Sequence, residues 1–150
     1  MPHDLTFERI EIGQEVPPLR QHVEAATLVR YAGASEDYAH QHWDHLYMVE
    51  RGFSGVIVHG WLTFAYMCRA VTDWIPREVA DVADFSVRYH RPNYLGEIVC
   101  SGRVVGKSEQ DGVRKVELDL AATTEADELT TTARMTLTFP NIAAKSVAGA

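Results

Sequence analysis

Cysteine is scarce: Cys68 and Cys100 are the only two in 150 residues. They stand far apart and outside any Cys-x-x-Cys or Cys/His spacing, which argues against a structural zinc site and a disulfide scaffold. Each lies among apolar residues, so both are expected as buried free thiols, in keeping with a reducing compartment. Basic residues are also few, with 14 Lys and Arg against 21 Asp and Glu and a net charge of −7. They form no cluster, which argues against a nucleic-acid-binding surface. An acidic total still leaves room for an anionic small ligand on a local arginine or a helix N-terminus. Long hydrophobic runs are missing too. The longest apolar stretch, about Phe53 to Met67, is interrupted by Ser54, Gly55, His59 and Gly60 and is too broken to span a bilayer. The N-terminus lacks the basic-then-apolar layout of a signal peptide, and no repeat or low-complexity segment occurs. The expectation is a cytoplasmic protein bound to neither membrane nor nucleic acid.

What is present is ordinary globular material, 46% hydrophobic and 23% charged. The length suits a single domain over residues 1–150, with loose tails at about 1–6 and 141–150. Pro17-Pro18 ends an opening segment, FERIEIGQEV, and LRQHVEA (19–25) alternates as a half-buried strand does. Thr27 is placed to cap a short helix, LVRYAGA, with Leu28, Tyr31 and Ala32 on one face and Ser35 and Asp37 breaking it. A second short helix is expected over 43–51. Residues His59 to Trp74 have no proline and no glycine beyond Gly60 in the first turn, and are apolar on nearly every face until Pro76 stops them. That is the pattern of a buried helix.

Beyond it the period changes to two. Segments 84–90, 97–107, 113–126 and 129–140 alternate and are rich in Val, Thr, Leu and Phe. Turn signals separate them, among them Asp111-Gly112, a strong hairpin pair. One long buried helix followed by at least four consecutive strands predicts an α+β fold, an antiparallel sheet wrapped around a central helix. Its edge strand needs cover, and a second copy of the chain is one way to supply it.

Residues 33–44, GASEDYAHQHWD, hold the densest chemistry. Asp37 and His42 flank a non-helical bend. A carboxylate and an imidazole joined by a loop can hold and deprotonate a water near neutral pH. The same residues can equally form a hydrophilic loop that caps helices. His40, His42 and His45 with Asp37 and Asp44 also raise a metal site, against which no distant His/Cys pair completes a ligand set. Downstream, VHGW (58–61) puts Gly60 in the first turn of the buried helix, where free N–H groups and the helix dipole favour an oxygen gaining negative charge. The glycines there can also be read simply as permitting a tight entry. In RYHRPNYLGE (88–97), Arg88 and Arg91 can pair with acids such as Glu97 or meet a phosphate.

Taken together, ASEDYAHQHWD, VIVHGWLT and FSVRYHRPNYLGE resemble the MaoC-like hydratase family, whose signature runs roughly A-S-G-D-x-N-P-x-H-x-D and then A/V-H-G-M-L-T. The likeness extends from about Phe7 to Pro140. It implies the hot-dog fold and a 2-enoyl thioester substrate on coenzyme A or an acyl carrier. Asp37 and His42 would activate one water, and the Gly60 N–H would bind the thioester carbonyl. The product would be the (R)-3-hydroxyacyl thioester, and the reverse reaction a dehydration. Neither a metal nor a cofactor beyond the coenzyme A of the substrate is implied. The acyl chain would lie along the central helix near the interface of a homodimer or larger hot-dog oligomer.

Three positions depart from that signature. Glu36 stands for Gly, Ala39 for Asn and His40 for Pro. Alanine cannot make the asparagine's hydrogen bond, so His40 or Gln41, with His59, is expected to support the site. Alternatively the chain is a non-catalytic subunit that binds acyl thioesters beside an active partner. A hot-dog thioesterase, with the water attacking the carbonyl, is a further reading. Glu36 beside Asp37 would raise carboxylate pKa values if both were shielded. Trp61 in place of Met is expected to narrow the acyl pocket.

Overall fold

The computed structural model describes residues 5–140. The expected tails lie mostly outside that range, but Leu5 packs against the core, so order begins earlier than the sequence suggests. Strand β1 (Glu15–Val23) is followed by α1 (Ala25–Ser35), a 3₁₀ turn at His40–His42, α2 (His45–Glu50) and α3 (Gly60–Trp74). Strands β2 (Asp81–Tyr89), β3 (Gly96–Gln110), β4 (Val113–Thr124) and β5 (Leu129–Phe139) complete the described chain. The five strands form one antiparallel sheet in the order β1-β3-β4-β5-β2.

The sheet curls around α3, which touches β1, β3, β4 and β5. Period-two burial in β4 sends Val116, Leu118, Leu120 and Ala122 inward, and β5 answers with Ala133, Met135, Leu137 and Phe139. They meet Leu62, Phe64, Met67, Ala70, Val71 and Trp74 of α3. The helix is less buried than its composition suggests. Trp61, Ala65, Arg69 and Asp73, spaced by four, form an exposed stripe. Gly102 in β3 lets the sheet close tightly: a Cβ there would strike Leu120 Cδ2 and lie 3.2 Å from Val16 Cγ2.

Two local readings are corrected. Pro17 and Pro18 lie inside β1, which starts at Glu15 rather than after them. The register shifts between Val16 and Leu19, so the prolines occupy an irregularity on an edge strand, where a missing N–H costs little. Helix α1 starts two residues before Thr27, with Glu24 as its N-cap and no side-chain cap bond. Thr27 instead accepts a bond from Arg30. The Asp111-Gly112 signal holds: both residues have positive φ (52° and 75°) and join Gln110 to Val113 in the β3–β4 hairpin. The thiols are both free, Cys100 buried and Cys68 partly so, and burial pushes Cys100 up to about 12.

Candidate active site

Helix α1 ends at Ser35, and Glu36 takes the left-handed conformation (φ 60°) that turns the chain back toward the core. Asp37 follows at the start of the bend. Its carboxylate Oδ1 accepts from the Ala39 N–H at 3.3 Å, a local turn that holds the side chain. His42 closes the 3₁₀ turn and is buried. Residues 57 and 58 are stitched to both neighbours. The Ile57 N–H donates to the Gln41 carbonyl at 2.9 Å, and the Val58 N–H to the Asn93 carbonyl at 2.8 Å. This ladder delivers His59 and Gly60 to the bend that carries Asp37 and His42.

The hydrogen bonds assign the imidazoles. A carbonyl only accepts, so the 2.8 Å bond from His42 Nδ1 to Ile57 O puts the proton of neutral His42 on Nδ1. Its Nε2 lone pair then faces Asp37, with 3.7 Å between Nε2 and Oδ2. The same logic puts the proton of His59 on Nε2, which donates to the Asp37 carbonyl at 3.1 Å. His59 stacks on His42 at 3.7 Å between ring centroids and 17° between planes. It therefore fixes both members of the pair, one by backbone and one by ring.

His59 is 1% exposed, and its Nδ1 has no partner among the described residues. Burial, with the neighbouring His42 also contributing, holds its pKa below the ordinary 6.5. The unfolded chain therefore takes up a proton at about pH 6.5 that the folded chain refuses. Stability from this group is complete above that value and is lost as the pH falls through the lowered folded value. We expect urea midpoints to fall below about pH 6.5 in the wild type and to fall less steeply, by up to one proton, in His59→Asn. Parallel slopes would contradict a neutral buried His59.

Asp37, His42 and Gly60 line one cleft of about 460 Å³ with Gln41, Thr63, Tyr89, Asn93 and Thr131. A larger depression of about 970 Å³ lies on the sheet and is lined by Arg88, Arg103, Asp119 and Arg134 among others. It holds ordinary cross-strand pairing (Arg134 to Asp119, 3.0 Å). Gly60 is the first residue of α3, so its N–H has no carbonyl within the helix to meet. Its missing side chain matters, because a Cβ there would sit 3.0 Å from the Tyr89 ring.

The expected supporting residues divide. Gln41 reaches the site, its amide Nε2 donating to His42 Nε2 at 3.2 Å, and His59 reaches it as described. His40 does not. It lies against Trp43 and Tyr47 and pairs with Asp44 at 3.4 Å, because the 3₁₀ turn rotates it away from His42. Trp61 does not narrow the cleft either. One residue beyond Gly60 it has turned outward, 56% exposed, with its ring edge on Phe64 and Phe85. Asp37 and Glu36 are both exposed, so the shielding that would couple them is missing. Arg91 pairs with an acid as expected, though with Glu128 at 4.0 Å, and Glu97 pairs with Arg20 instead.

A metal set also differs from the expected one. Asp37, His42 and His59, not His40 and His45, place ligand atoms within 4.8 Å of one another. Stacked rings whose planes differ by 17° send their lone pairs out side by side, not toward one point. The trio does not fit one ion.

A family model described as MaoC-like domain matches residues 8–126. The chain belongs to the MaoC-like family. Its fold is the hot-dog fold of solved members. The R-hydratase PhaJ1 from Pseudomonas aeruginosa superposes with a TM-score of 0.80 at 20% identity, over 91% of this chain and 86% of that one. The (R)-hydratase from A. caviae involved in PHA biosynthesis gives 0.80 at 22% identity, over 89% and 99%. A chain of the ChsH1-ChsH2 complex from Mycobacterium tuberculosis gives 0.74 at 22%, over 86% and 98%. Among curated proteins none matches this MaoC-like chain in sequence. No helix among its described residues is long and apolar enough to cross a membrane.

Sequence reasoning missed Asn93, Thr63 and Thr131. They join the cleft from three separate elements, and nothing local marks them. The one available signal was an asparagine after Arg-Pro at a strand entry.

Proposed function

We propose that this MaoC-like protein adds water across the double bond of a 2-enoyl thioester and catalyses the reverse dehydration. The observation that carries the reading is the 3.7 Å gap between His42 Nε2 and Asp37 Oδ2, at a cleft that also holds the first amide of α3. Two acceptors at that spacing can share one water, which donates a proton to each at about 2.8 Å. Gln41 must give up its bond to Nε2 as the water arrives.

The rest follows from where charge develops. His42 Nε2 takes one proton as the water oxygen bonds to the β-carbon. The α,β π-electrons shift onto the thioester as an enolate, whose oxygen the Gly60 N–H and the α3 dipole stabilise. The His42 imidazolium, steadied by the Asp37 carboxylate, returns a proton to the α-carbon, so water is added and the pair is reset. The family resemblance supports the (R)-3-hydroxyacyl thioester as the product. The reading asks for no metal and no cofactor beyond coenzyme A or an acyl carrier as part of the substrate. Ala39 does not undo it, because its own N–H holds Asp37.

A second copy of the chain is the proposed cover for β2. That strand is one of the two edges of the sheet and is exposed along nearly its whole length, with Phe85 and Tyr89 open to solvent. A cytoplasmic location accords with the free thiols.

Crotonyl-CoA tests the reaction. The expected result is loss of enone absorbance at a rate proportional to enzyme. Release of free thiol with the enone intact would favour a thioesterase. Silence on short and longer enoyl-CoAs would favour a binding subunit, and either result contradicts the hydratase.

A further inference from the structure

Hydration as proposed needs two acceptors for the water and one donor for the carbonyl. Asp37, His42 and Gly60 meet that need in full. Among the further polar side chains of that cleft that the chemistry does not use are Asn93 and Thr131. They are 5% and 0% exposed, and Asn93 Oδ1 and Thr131 Oγ1 have no hydrogen-bond partner among the described residues. Buried polar atoms are rarely left so, because desolvating them without a partner is unfavourable.

The surrounding bonds settle which end of the amide is free. The Thr63 hydroxyl donates to the His59 carbonyl at 3.5 Å and so accepts from Asn93 Nδ2 at 3.2 Å. The amide is thereby held with Oδ1 as its unpaired end. The Asn93 backbone carbonyl is tied to the Val58 N–H, which keeps the residue in place. Thr131 contrasts with its neighbour. Thr130 spends its hydroxyl on the Ala122 carbonyl at 3.0 Å, whereas Thr131, a lining residue of the cleft, has a buried and unspent one.

We infer that Asn93 and Thr131 recognise a hydroxyl on the acyl part of the substrate. The substrate class is then a hydroxylated 2-enoyl thioester, not a plain alkyl one. The ligand hydroxyl gives its proton to Asn93 Oδ1 and accepts from the Thr131 O–H. An alkyl chain in the same place would cover both groups and pair neither. A site built to bond a hydroxyl discriminates strongly against the analogue that lacks it. This inference rests on the hydratase reading for the chemistry but not for the recognition.

The experiment compares kcat/KM for 2-hexenoyl-CoA and its 4-, 5- and 6-hydroxy counterparts. At least one hydroxylated substrate should be favoured by roughly tenfold to 10²-fold. Asn93→Leu, of similar shape, and Thr131→Val should each bring that ratio close to one. Equal use of all four by the wild type would overturn the inference. So would an equal loss on all four in both variants, which would place the groups on the water or the coenzyme A arm. Calorimetric titration with saturated hexanoyl-CoA and its hydroxylated counterparts reads the same discrimination without turnover. Tighter binding of a hydroxylated ligand that Asn93→Leu abolishes, in a protein that hydrates no enoyl-CoA, would sink the hydratase reading and leave the recognition standing. No preference in either assay overturns the recognition itself.

Discussion

His42→Ala should lower kcat for enoyl-thioester hydration by roughly 10²–10⁴-fold, the usual contribution of a positioned general base. The imidazole has only one nitrogen free for the water, because Nδ1 is spent on the Ile57 carbonyl. Its removal therefore removes the base outright. Asp37→Asn should cost on the order of 10²-fold by a different route. The amide can present an N–H where the carboxylate presents only lone pairs, and it carries no charge to steady the imidazolium. The fold should tolerate this change well. Asp37 is half exposed, and its link to His59 runs through the backbone carbonyl. Because the two groups act as a unit on one water, the double variant should be little worse than His42→Ala alone. Initial rates on crotonyl-CoA, with near-ultraviolet circular dichroism to confirm the fold, check all three. Additive losses would mean that Asp37 and His42 do not share a water.

The second large effect concerns Gly60. Its N–H is deleted most selectively by Gly60→Pro. This is the first position of α3, where proline is well accepted, and His59 before it already has the extended conformation (φ −55°, ψ 130°) that proline demands. The helix should persist while the donor to the enolate oxygen is gone. We expect kcat to fall by about 10²–10³-fold. Proline also brings carbon toward the Tyr89 ring, so Gly60→Ala is the control. Alanine keeps the N–H but places a Cβ 3.0 Å from that ring. Its smaller loss should fall mainly on KM. If alanine and proline were equally damaging in kcat, the steric contact and not the hydrogen bond would be the reason for glycine.

Much of this architecture is legible in the chain because it is encoded locally. Strands β3, β4 and β5 announce themselves by alternation, and Asp111-Gly112 by a turn that only such residues enter easily. The Asp37–His42 pair is local too, five residues apart within one bend, so spacing and resemblance suffice to single it out. Failures occur where tertiary context overrides local chemistry. Pro17 and Pro18 read as a boundary, but an edge strand with an irregular register accepts them. Thr27 reads as a cap, yet Glu24 opens the helix. Trp61 and His40 sit beside true site residues in sequence and point away from them in space, since one step along a helix or 3₁₀ turn rotates a side chain by about 100–120°. The least legible part is the Thr63–Asn93 contact with Thr131 nearby. The first two lie 30 residues apart and meet where residue 58 is stitched to residue 93.

The central claim is that a water held by Asp37 and His42 attacks the β-carbon of an enoyl thioester. Its most direct test is turnover of crotonyl-CoA in ¹⁸O-labelled water, with the position of the label read by mass spectrometry of the intact product. The expected result is one ¹⁸O in the 3-hydroxyl of an intact 3-hydroxybutyryl-CoA. Label in a released carboxylate, with free coenzyme A, would contradict the claim, because the same water would then be attacking the carbonyl.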